Sequence, residues 1–400
     1  ILNSGATSLP ELLRGQPGIA VSDLYGDGSN ATIDMRGFGE SASANTLVMI
    51  DGRKINFASD TGSLYFSAID LDNVEQIEIV QGSAGILFGN MAVGGAVNVI
   101  TRKPAGDTAE AGLTLGSFNS HSEKLRVEKI LQMGWSVRGL FTNRESDNFR
   151  DHNEAETQSA SLLLQKQLKG GRLFVEYEKL DDYIQTPGSL FLDELAIDRK
   201  QAAMVYQADY QDLVSDTFRL GLSNQLSDSW SLEIDASLQE DEREFITTFR
   251  AFPPGTRSTQ DRQTVDFNPR LIGNFGQYQV TVGLDMQNTD YLLVSAFGPQ
   301  AVDQLVTGIY AQSVITLDKQ VELVAGLRHA RIENDINDGG TYYQLDDDVT
   351  IGSLAANYHM NDMWRLYARA DQNYRFAKVD EHTNPVFMQP VGLENQTGIT

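Results

Sequence analysis

The sequence contains no cysteine, which excludes disulfide bonds, thiolate metal sites and cysteine nucleophiles. It also lacks any run of about 18 consecutive apolar residues, so no transmembrane helix is predicted. Basic residues are scarce, because 31 Lys and Arg stand against 55 Asp and Glu, for a net charge of −24. Nucleic acid is therefore not expected as a partner, since binding its phosphates requires clustered Lys and Arg. A membrane protein that crosses the bilayer with β-strands is not excluded, because a hydropathy scan does not detect strands with alternating apolar and polar residues.

The first 104 residues have the character of a compact α/β segment. Ser8 and Glu11 have the spacing of a helix capping box, which predicts a helix over Leu9–Arg14. Glycine is dense near the end of the segment, which indicates tight turns and close approach of backbones. Short apolar or alternating runs predict strands at Thr32–Arg36, Leu47–Ile50, Arg53–Ile55 (after a turn at Asp51-Gly52), Val74–Val80 and Ala96–Ile100.

The pattern changes at about residue 109, where segments of about ten residues alternate between apolar and polar side chains. In Trp230–Leu238 the even positions are apolar and the odd positions are Ser, Glu, Asp and Ser. Such a strand has one apolar and one charged face. The pattern predicts about thirteen strands, with a fourteenth starting near the C-terminus. Charged residues expected to face the inside of a closed barrel are Glu176, Glu178, Glu233, Asp235, Arg328, Arg365 and Arg369.

The connections between these segments alternate between short polar turns and longer loops. This asymmetry is typical of outer-membrane barrels, which have short turns on one rim and long loops on the other. One of the loops contains a stretch with helical character at Leu192–Ala196. The longer loops are predicted near residues 146–155, 182–200, 243–262, 287–303, 333–347 and 377–392.

The three tryptophans provide an independent test. Trp135, Trp230 and Trp364 each stand at the start of a strand that leaves a short turn, and Tyr278 repeats the placement. Together they are expected to form an aromatic girdle at one membrane interface. A soluble β-sandwich or β-helix also has alternating strands, but it does not confine its tryptophans to one rim. The sequence therefore favours a mainly β protein, a transmembrane antiparallel β-barrel behind a small α/β domain.

Four stretches of the first segment, in order, carry a family resemblance. They read LPELLRGQPGIAV at Leu9–Val21, IDMRGF at Ile33–Phe38, LVMIDGRKI at Leu47–Ile55 and VEQIEIVQGSAGILFGNMAVGGAVNVITRKP at Val74–Pro104. The segment resembles the plug domain of TonB-dependent outer-membrane transporters. The resemblance implies a plug at residues 1–104 inside a barrel at residues 105–400. It also implies about 22 strands in the complete barrel, so the chain is expected to continue beyond residue 400.

The chain departs from the family pattern at two positions. Gln81 stands where an arginine often precedes the glycine, and Ser83 follows Gly82 where a proline is often found. In the family, that arginine and the arginine of the R-G-F element pair with glutamates of the barrel. The resemblance therefore implies a plug–barrel contact for Arg36, the R-G-F arginine, and for Glu78 of the plug strand. It leaves the second arginine of the family network without a counterpart.

The resemblance also implies a function, the energised uptake of a scarce ligand held between the plug apex and the extracellular loops. TonB is expected to pull on the plug through an N-terminal motif that this sequence does not contain. A ferric siderophore or other iron complex is the leading ligand, and cobalamin or another organic cofactor is the alternative. The candidate ligand-binding residues are Tyr25, Asp27, Phe57, Tyr65, Phe66 and Phe191.

The net charge constrains the ligand, and the spacing of acidic residues and histidines bears on metal sites and catalysis. The net acidity disfavours a highly anionic ligand unless basic side chains cluster locally. Aspartates within residues 333–348 leave a calcium site open, although a solvated acidic loop fits their spacing better. No histidine has metal-ligand spacing and no Ser/His/Asp array is readable, so we expect no metal, no cofactor and no enzyme. Arginines on or near predicted extracellular loops are Arg144, Arg150, Arg243, Arg250, Arg257 and Arg262.

Two other functions compete with uptake. A passive porin or a barrel-anchored adhesin does not need the R-G-F and Gly94-Gly95 plug elements. A plugged receptor that also signals needs a further periplasmic domain before residue 1. For all three functions we expect location in the bacterial outer membrane, contact with lipid and lipopolysaccharide, and a monomer.

Overall fold

The computed structural model describes residues 4–26, 28–57, 64–82, 84–318, 320–361 and 363–378, with residue 381 and the pairs 383–384, 389–390 and 398–399. It contains a small N-terminal body, the plug, which ends at Thr101, and a long antiparallel sheet that we call the wall. Among the described residues, no helix has the length and apolar character needed to cross a membrane.

The described part of the plug contains two short α-helices, α1 (Leu9–Leu13) and α2 (Gly85–Phe88), and seven strands. The strands are β1 (Ile19–Asp23), β2 (Asn30–Met35), β3 (Thr46–Ile50), β4 (Arg53–Lys54), β5 (Leu64–Tyr65), β6 (Val74–Gln81) and β7 (Gly95–Thr101). One sheet has the order β1-β2-β5, and the other has the order β4-β3-β7-β6 with β3 parallel to β7. The predicted helix and the five predicted strands are confirmed within two residues, and β1 and β5 are additional to them.

Helix α1 begins as the capping pattern predicts. The Ser8 hydroxyl accepts a hydrogen bond from the Glu11 amide at 3.4 Å. The Glu11 carboxylate in turn accepts from the Thr7 amide at 2.8 Å, one residue before the cap. Leu9 and Leu13 then lie on the same face and are buried in the plug core.

The two sheets of the plug pack closely because glycines leave room between their backbones. A Cβ on Gly94 would lie 2.7 Å from the carbonyl oxygen of Met35, so only glycine fits there. At Gly95 a Cβ would clash with the carbonyl oxygen of Val80. The Gly94-Gly95 element of the resemblance therefore has a packing role, the close approach of β7 to β6 and β2.

Fourteen strands in sequence order form the wall in the part of the chain that is described. The strands are β8 (Thr108–Leu115), β9 (His121–Ile130), β10 (Trp135–Ser146), β11 (Ala155–Leu168), β12 (Gly171–Gln185), β13 (Tyr210–Gln225), β14 (Trp230–Ile246), β15 (Arg257–Phe275), β16 (Tyr278–Ser295), β17 (Gly298–Leu317), β18 (Val321–Asp338), β19 (Thr341–Asn361), β20 (Trp364–Asn373) and, after a short hairpin of β21 (Thr383–Asn384) and β22 (Gln389–Pro390), β23 (Gly398–Ile399). The count of thirteen strands and a beginning fourteenth is confirmed.

The connections agree with the prediction in the first half of the wall and correct it in the second. Long connections lie at residues 147–154, 186–209 and 247–256, and the middle one contains α3 (Leu192–Ile197). The predicted loops at 287–303 and 333–347 are wrong, because these strands continue to two-residue turns at 296–297 and 339–340. Beyond the apolar band both faces of a strand are polar, so the alternation fades while the backbone hydrogen bonds continue.

The aromatic girdle is confirmed by the strand boundaries. Trp135, Trp230, Tyr278 and Trp364 are the first residues of β10, β14, β16 and β20, directly after short turns. The Trp230 ring meets Phe275 edge to face at 5.3 Å between ring centres, and Phe275 ends the neighbouring strand. Aromatic side chains thus line one rim of the wall on its outer face, as expected at a membrane interface.

The acidic loop predicted near residues 333–348 lies on two paired strands instead. Asp346, Asp347 and Asp348 lie on β19, so Asp347 points to the opposite face from its two neighbours. Their carboxylates cannot converge on one ion. The described residues contain no group of three or more acidic or histidine side chains arranged to hold a metal.

Candidate functional site

The plug lies against the inner face of the wall, and buried charges join the two. Arg138 of β10 is 1% exposed, and it pairs with Glu176 of β12 at 3.3 Å. Its guanidinium also donates to the side-chain oxygen of Asn73 in the plug at 3.2 Å and to the carbonyl of Arg102. A buried charge needs such partners, because losing one leaves the others desolvated and uncompensated.

A second link lies one strand further along. Arg219 of β13 pairs with Asp235 at 2.6 Å and donates to the carbonyl of Asp51 in the plug at 2.6 Å. Arg53 of β4 pairs with Glu178 of β12 at 2.5 Å. The predicted inward orientation of Glu178 and Asp235 is therefore confirmed by direct contact with the plug or with a plug-binding arginine.

A third link is made by Arg328 of β18, which is 2% exposed. It pairs with Asp285 of β16 at 2.6 Å and donates to the Tyr374 hydroxyl at 3.0 Å. It also donates to the carbonyl of Ile86 in α2 at 3.3 Å. Gly308 of β17 makes room for it, since a Cβ there would clash with the guanidinium. Helix α2 is therefore held to the wall by a charge that the wall provides.

The segment after β20 folds inward over the same part of the plug. The amide of Phe376 donates to the side-chain oxygen of Asn90 at 2.9 Å. The rings of Tyr374 and Phe376 are both 1% exposed and meet at 5.0 Å between centres. Residues 374–376 therefore cover the plug from within the wall, and most of the predicted loop at 377–392 lies outside the described residues.

The apex of the plug contacts the upper part of the wall through Tyr25. Asn153, in the loop at 147–154, donates to its carbonyl at 2.8 Å. Gln211, near the start of β13, donates to its hydroxyl at 3.3 Å. Both contacts lie at the end of the wall that carries the long loops, so the loop at residues 24–29 points towards the extracellular side.

Phe57 is the second apical contact. It packs against the buried side chains of Leu180 and Leu213 on β12 and β13. The guanidinium carbon of Arg262 lies 3.6 Å from the centre of its ring, a close cation–π contact. Arg262 is itself buried and paired with Asp241 at 2.6 Å. The predicted loop residue Arg262 therefore faces the inside of the wall.

A polar network continues from these contacts across β13 to β15. Arg243 donates to the side-chain oxygens of Gln211 at 3.0 Å and of Gln260 at 3.2 Å. Because Gln211 also holds the Tyr25 hydroxyl, the network connects the wall arginine to the plug apex. We call Arg243, Arg262, Gln211 and Gln260 the vestibule floor. Asp241 balances the charge of Arg262, so Arg243, which donates to the neutral side chains of Gln211 and Gln260, supplies the local positive charge of the floor.

Above the floor, two loops are joined to each other. Arg250 in the loop at 247–256 pairs with Glu194 of α3 at 2.5 Å and lies 3.9 Å from the ring centre of Phe191. Thr248 donates its amide to Asp209 at 2.7 Å. The hydrogen bond from Arg250 holds the pKa of Glu194 below its usual value. The loops are thus cross-linked by side chains of opposite charge.

The residues predicted to bind the ligand lie in different environments in the structure. Tyr25 and Phe57 lie at the apex beside the vestibule floor, and Phe191 is 60% exposed in the loop above it. Phe66 is a correction, because it is 2% exposed in the plug core and cannot touch a ligand there. Asp27 and the side chain of Tyr65 lie outside the described residues.

The R-G-F element forms a tight turn around Asp34. Its carboxylate accepts hydrogen bonds from the amides of Gly37, Phe38 and Gly39 at 2.8–3.0 Å. Arg36 is exposed with a φ of 79° and borders a cavity of about 1010 Å³ between plug and wall. Arg365 and Arg369, predicted to face inward, line the wall side of that cavity.

Glu78 also faces its own domain in the described part of the chain. It accepts hydrogen bonds from Gln76 at 3.0 Å and from Asn98 at 3.1 Å, and both are plug residues. The plug–barrel roles of Arg36 and Glu78 stay predictions.

Sequence reasoning did not identify Gln211 and Gln260 as site residues. Both stand on the polar face of alternating strands, where dozens of other polar residues also stand. Their height along the wall, which decides whether they meet the plug apex, depends on the register of β13 to β15. The only available signal was their distance from the predicted aromatic girdle.

Comparison with known families matches both parts of this architecture. The model of the TonB-dependent Receptor Plug Domain matches residues 1–96, and that of the TonB dependent receptor-like β-barrel matches residues 141–398. Similar solved structures include the unliganded ferric citrate transporter FecA, at 20% identity and a TM-score of 0.82, which covers 98% of this chain and 64% of its own.

Two other solved structures share the fold. The ferric yersiniabactin uptake receptor FyuA from Yersinia pestis is 18% identical, with a TM-score of 0.77, over 99% of this chain and 65% of its own. The copper transporter OprC is 15% identical, with a TM-score of 0.78, over 98% of this chain and 66% of its own. This chain thus spans about two thirds of the length of these proteins. The inserted plug, the fourteen-strand wall and both family matches lead to one conclusion: the chain belongs to the TonB-dependent receptor family.

Proposed function

We propose that the protein takes up a scarce ligand across the bacterial outer membrane, energised by TonB, and that the ligand is an iron complex. The plug at 1–104 closes the barrel at 105–400, and TonB opens the closure. The work of the protein is binding and gating, with no bond chemistry. The observation that carries this proposal is the contact between the plug apex and the vestibule floor, because it connects a ligand site to the moving part.

The charges of the floor support an anionic chelate. Arg243 is partly exposed and offers a guanidinium group near Tyr25 of the plug, whereas Arg262 is buried against Phe57 and paired with Asp241. A ferric complex of carboxylate or catecholate groups presents oxygen acceptors that a guanidinium binds well. The ferric citrate and ferric yersiniabactin proteins among the similar structures support iron, whereas the copper transporter OprC shows that the fold alone does not select the metal.

Ligand binding at the vestibule floor can be transmitted to the plug through side-chain hydrogen bonds. A ligand that takes the hydrogen bonds of Arg243 competes with the Gln211 side chain for them. Gln211 also donates to the Tyr25 hydroxyl, so its release loosens the apex at the same time. Ligand binding and the readiness of the plug to move are thereby linked through three side chains.

The direct test is binding by the full-length protein. Ferric citrate, a ferric catecholate, a copper complex and cobalamin form the panel, measured by calorimetry in detergent. Arg243→Met should weaken binding of the preferred ferric complex by roughly 10- to 100-fold, the value of one or two charge-assisted hydrogen bonds. Arg257→Met is the matched control, because Arg257 is 65% exposed and pairs with Glu244 on the outer face. Tight binding of cobalamin with no ferric complex bound would make the iron assignment wrong.

The plug assignment has its own test. Deletion of residues 1–104 from the full-length protein should give a barrel that conducts ions in a planar bilayer, because the closure is gone. The intact protein should stay closed under the same voltage. Equal conductance of the two would contradict the plug role and favour a passive or adhesive barrel.

A further inference from the structure

The two loops above the vestibule floor expose large apolar side chains to the extracellular side. Leu192, Ile197, Met204 and Phe252 are each 80–85% exposed, and Phe191 and Phe249 are 60–66% exposed. We call these six residues the apolar rim. Single exposed apolar residues are ordinary on a protein surface, but six of them on two loops that are joined by Arg250 make a candidate binding surface.

The apolar rim is built by specific contacts between the loops. The Arg250–Glu194 pair and the stacking of Arg250 on Phe191 join the loop at 186–209 to the loop at 247–256. The amide of Phe252 donates to the carbonyl of Phe249 at 2.7 Å, which closes the tip of the second loop. These contacts hold the apolar side chains outward in one place.

The apolar rim and the vestibule floor are carried by the same strands. Asp209, which anchors the loops through Thr248, is two residues before Gln211 of the floor. Thr248 stands five positions after Arg243, just beyond the end of β14, a distance of at most about 17 Å along an extended chain. A single small molecule can therefore touch both regions. Its two ends would meet opposite chemistry, a guanidinium group below and apolar side chains above.

We infer that the ligand is amphiphilic, an anionic chelate whose head binds Arg243 and whose apolar tail packs on the rim. The inference rests on the proposed function, since it specifies the class of ligand for the same site. A macromolecule that docked on the apolar rim alone would not reach Arg243 of the floor. The proximity of the two regions therefore favours one small molecule that carries both properties.

The experiment uses two probes on the full-length protein in detergent. Both are ferric complexes of one citrate-based hydroxamate chelator, and they differ only in an acetyl or a dodecanoyl group on each hydroxamate nitrogen. The dodecanoyl complex should bind at least about tenfold more tightly, because several methylene groups leave water on the rim. The double variant Leu192→Ser/Phe252→Ser should remove this preference and leave the affinity for the acetyl complex unchanged.

Control variants distinguish a specific loss of tail binding from a general disruption of the extracellular loops. Phe297→Ser is the matched control, because Phe297 is 68% exposed at the turn at 296–297, on a different hairpin. It should keep the full preference for the dodecanoyl complex. The single variants Leu192→Ser and Phe252→Ser should each lose part of it, so one poorly folded variant cannot decide the result.

Each result has a distinct meaning. Equal affinity of the wild-type protein for the two complexes overturns the amphiphile inference and leaves the proposed function standing. A preference for the dodecanoyl complex that survives in the double variant overturns the role of the apolar rim. If neither complex binds while a protein partner binds the rim, both the inference and the proposed iron uptake are contradicted.

Discussion

Replacement of Arg328 by leucine should detach helix α2 from the wall. The side chain is 2% exposed and makes a 2.6 Å pair with Asp285 and a 3.3 Å hydrogen bond to the carbonyl of Ile86. Leucine can fill part of the space but offers neither charge nor donor. Asp285 then stays buried, at 16% side-chain exposure, without its counter-charge.

The magnitude follows from that burial. Removing one partner of a buried ion pair costs about 3–5 kcal/mol, most of it from the charge left behind. At about 1.4 kcal/mol per factor of ten, this corresponds to a shift of roughly two to three and a half powers of ten in the opening of α2. Arg331 on the same strand supplies the control. It is 52% exposed and pairs with Glu333 on the outer face, so its loss should cost at most about 1 kcal/mol.

Hydrogen exchange of the full-length protein measures this opening directly. The amides of Phe88 and Gly89 are bonded to the carbonyls of Ala84 and Gly85 within α2. In Arg328→Leu they should exchange at least about a hundredfold faster than in Arg331→Leu, since local opening exposes them. Equal protection in the two variants would refute the reasoning, because α2 would then be held by apolar packing alone. A second change, Asp285→Leu on top of Arg328→Leu, should restore part of the protection by removing the stranded charge.

Two further predictions concern packing and pH. Gly326→Leu should destabilise the plug against urea by about 1–3 kcal/mol, because even a Cβ there would lie 2.7 Å from the Ile86 side chain. The control Gly352→Leu, on the outward face of the next strand, should have little effect. A larger loss of stability in Gly352→Leu than in Gly326→Leu would contradict the packing argument. The Glu194–Arg250 pair should hold the two loops together above the usual Glu194 pKa of 4.5 and lose that contribution as the pH falls through the lowered value. Proteolysis of the loops should therefore rise on acidification below pH 4.5 in the wild type, and Glu194→Gln should show high cleavage at every pH; a wild-type profile that is flat with pH would count against the pair.

The period-two pattern was sufficient for the architecture, because alternation is imposed by the environment on each strand separately. A lipid-facing residue such as Leu232 must be apolar whatever its neighbours are. The two faces of Trp230–Leu238 can therefore be assigned from this segment alone. The family motifs added the plug for a similar reason. Gly94 and Gly95 are required locally by the close approach of backbones, and they stand in the sequence wherever that approach occurs.

The alternation failed where the environment stopped imposing it. Above the apolar band, Asp303 and Asp335 face outward on paired strands, and both faces there are polar. A polar run without alternation indicates a loop, yet the backbone ladder continues through it to the turn at 339–340. Backbone hydrogen bonds do not depend on side-chain type, so the side-chain pattern could not predict that the strands continue to this turn.

What the sequence alone determined is therefore the class of the protein: a plugged, antiparallel membrane barrel with its charged faces turned inward. What only the tertiary structure decided is which charges meet. Arg243 and Arg262 join the vestibule floor, whereas Arg257 faces outward, although all three stand in the same predicted loop. That choice depends on strand register and on where the plug apex stops, and both are set by long-range contacts between residues such as Tyr25 and Gln211, 186 positions apart.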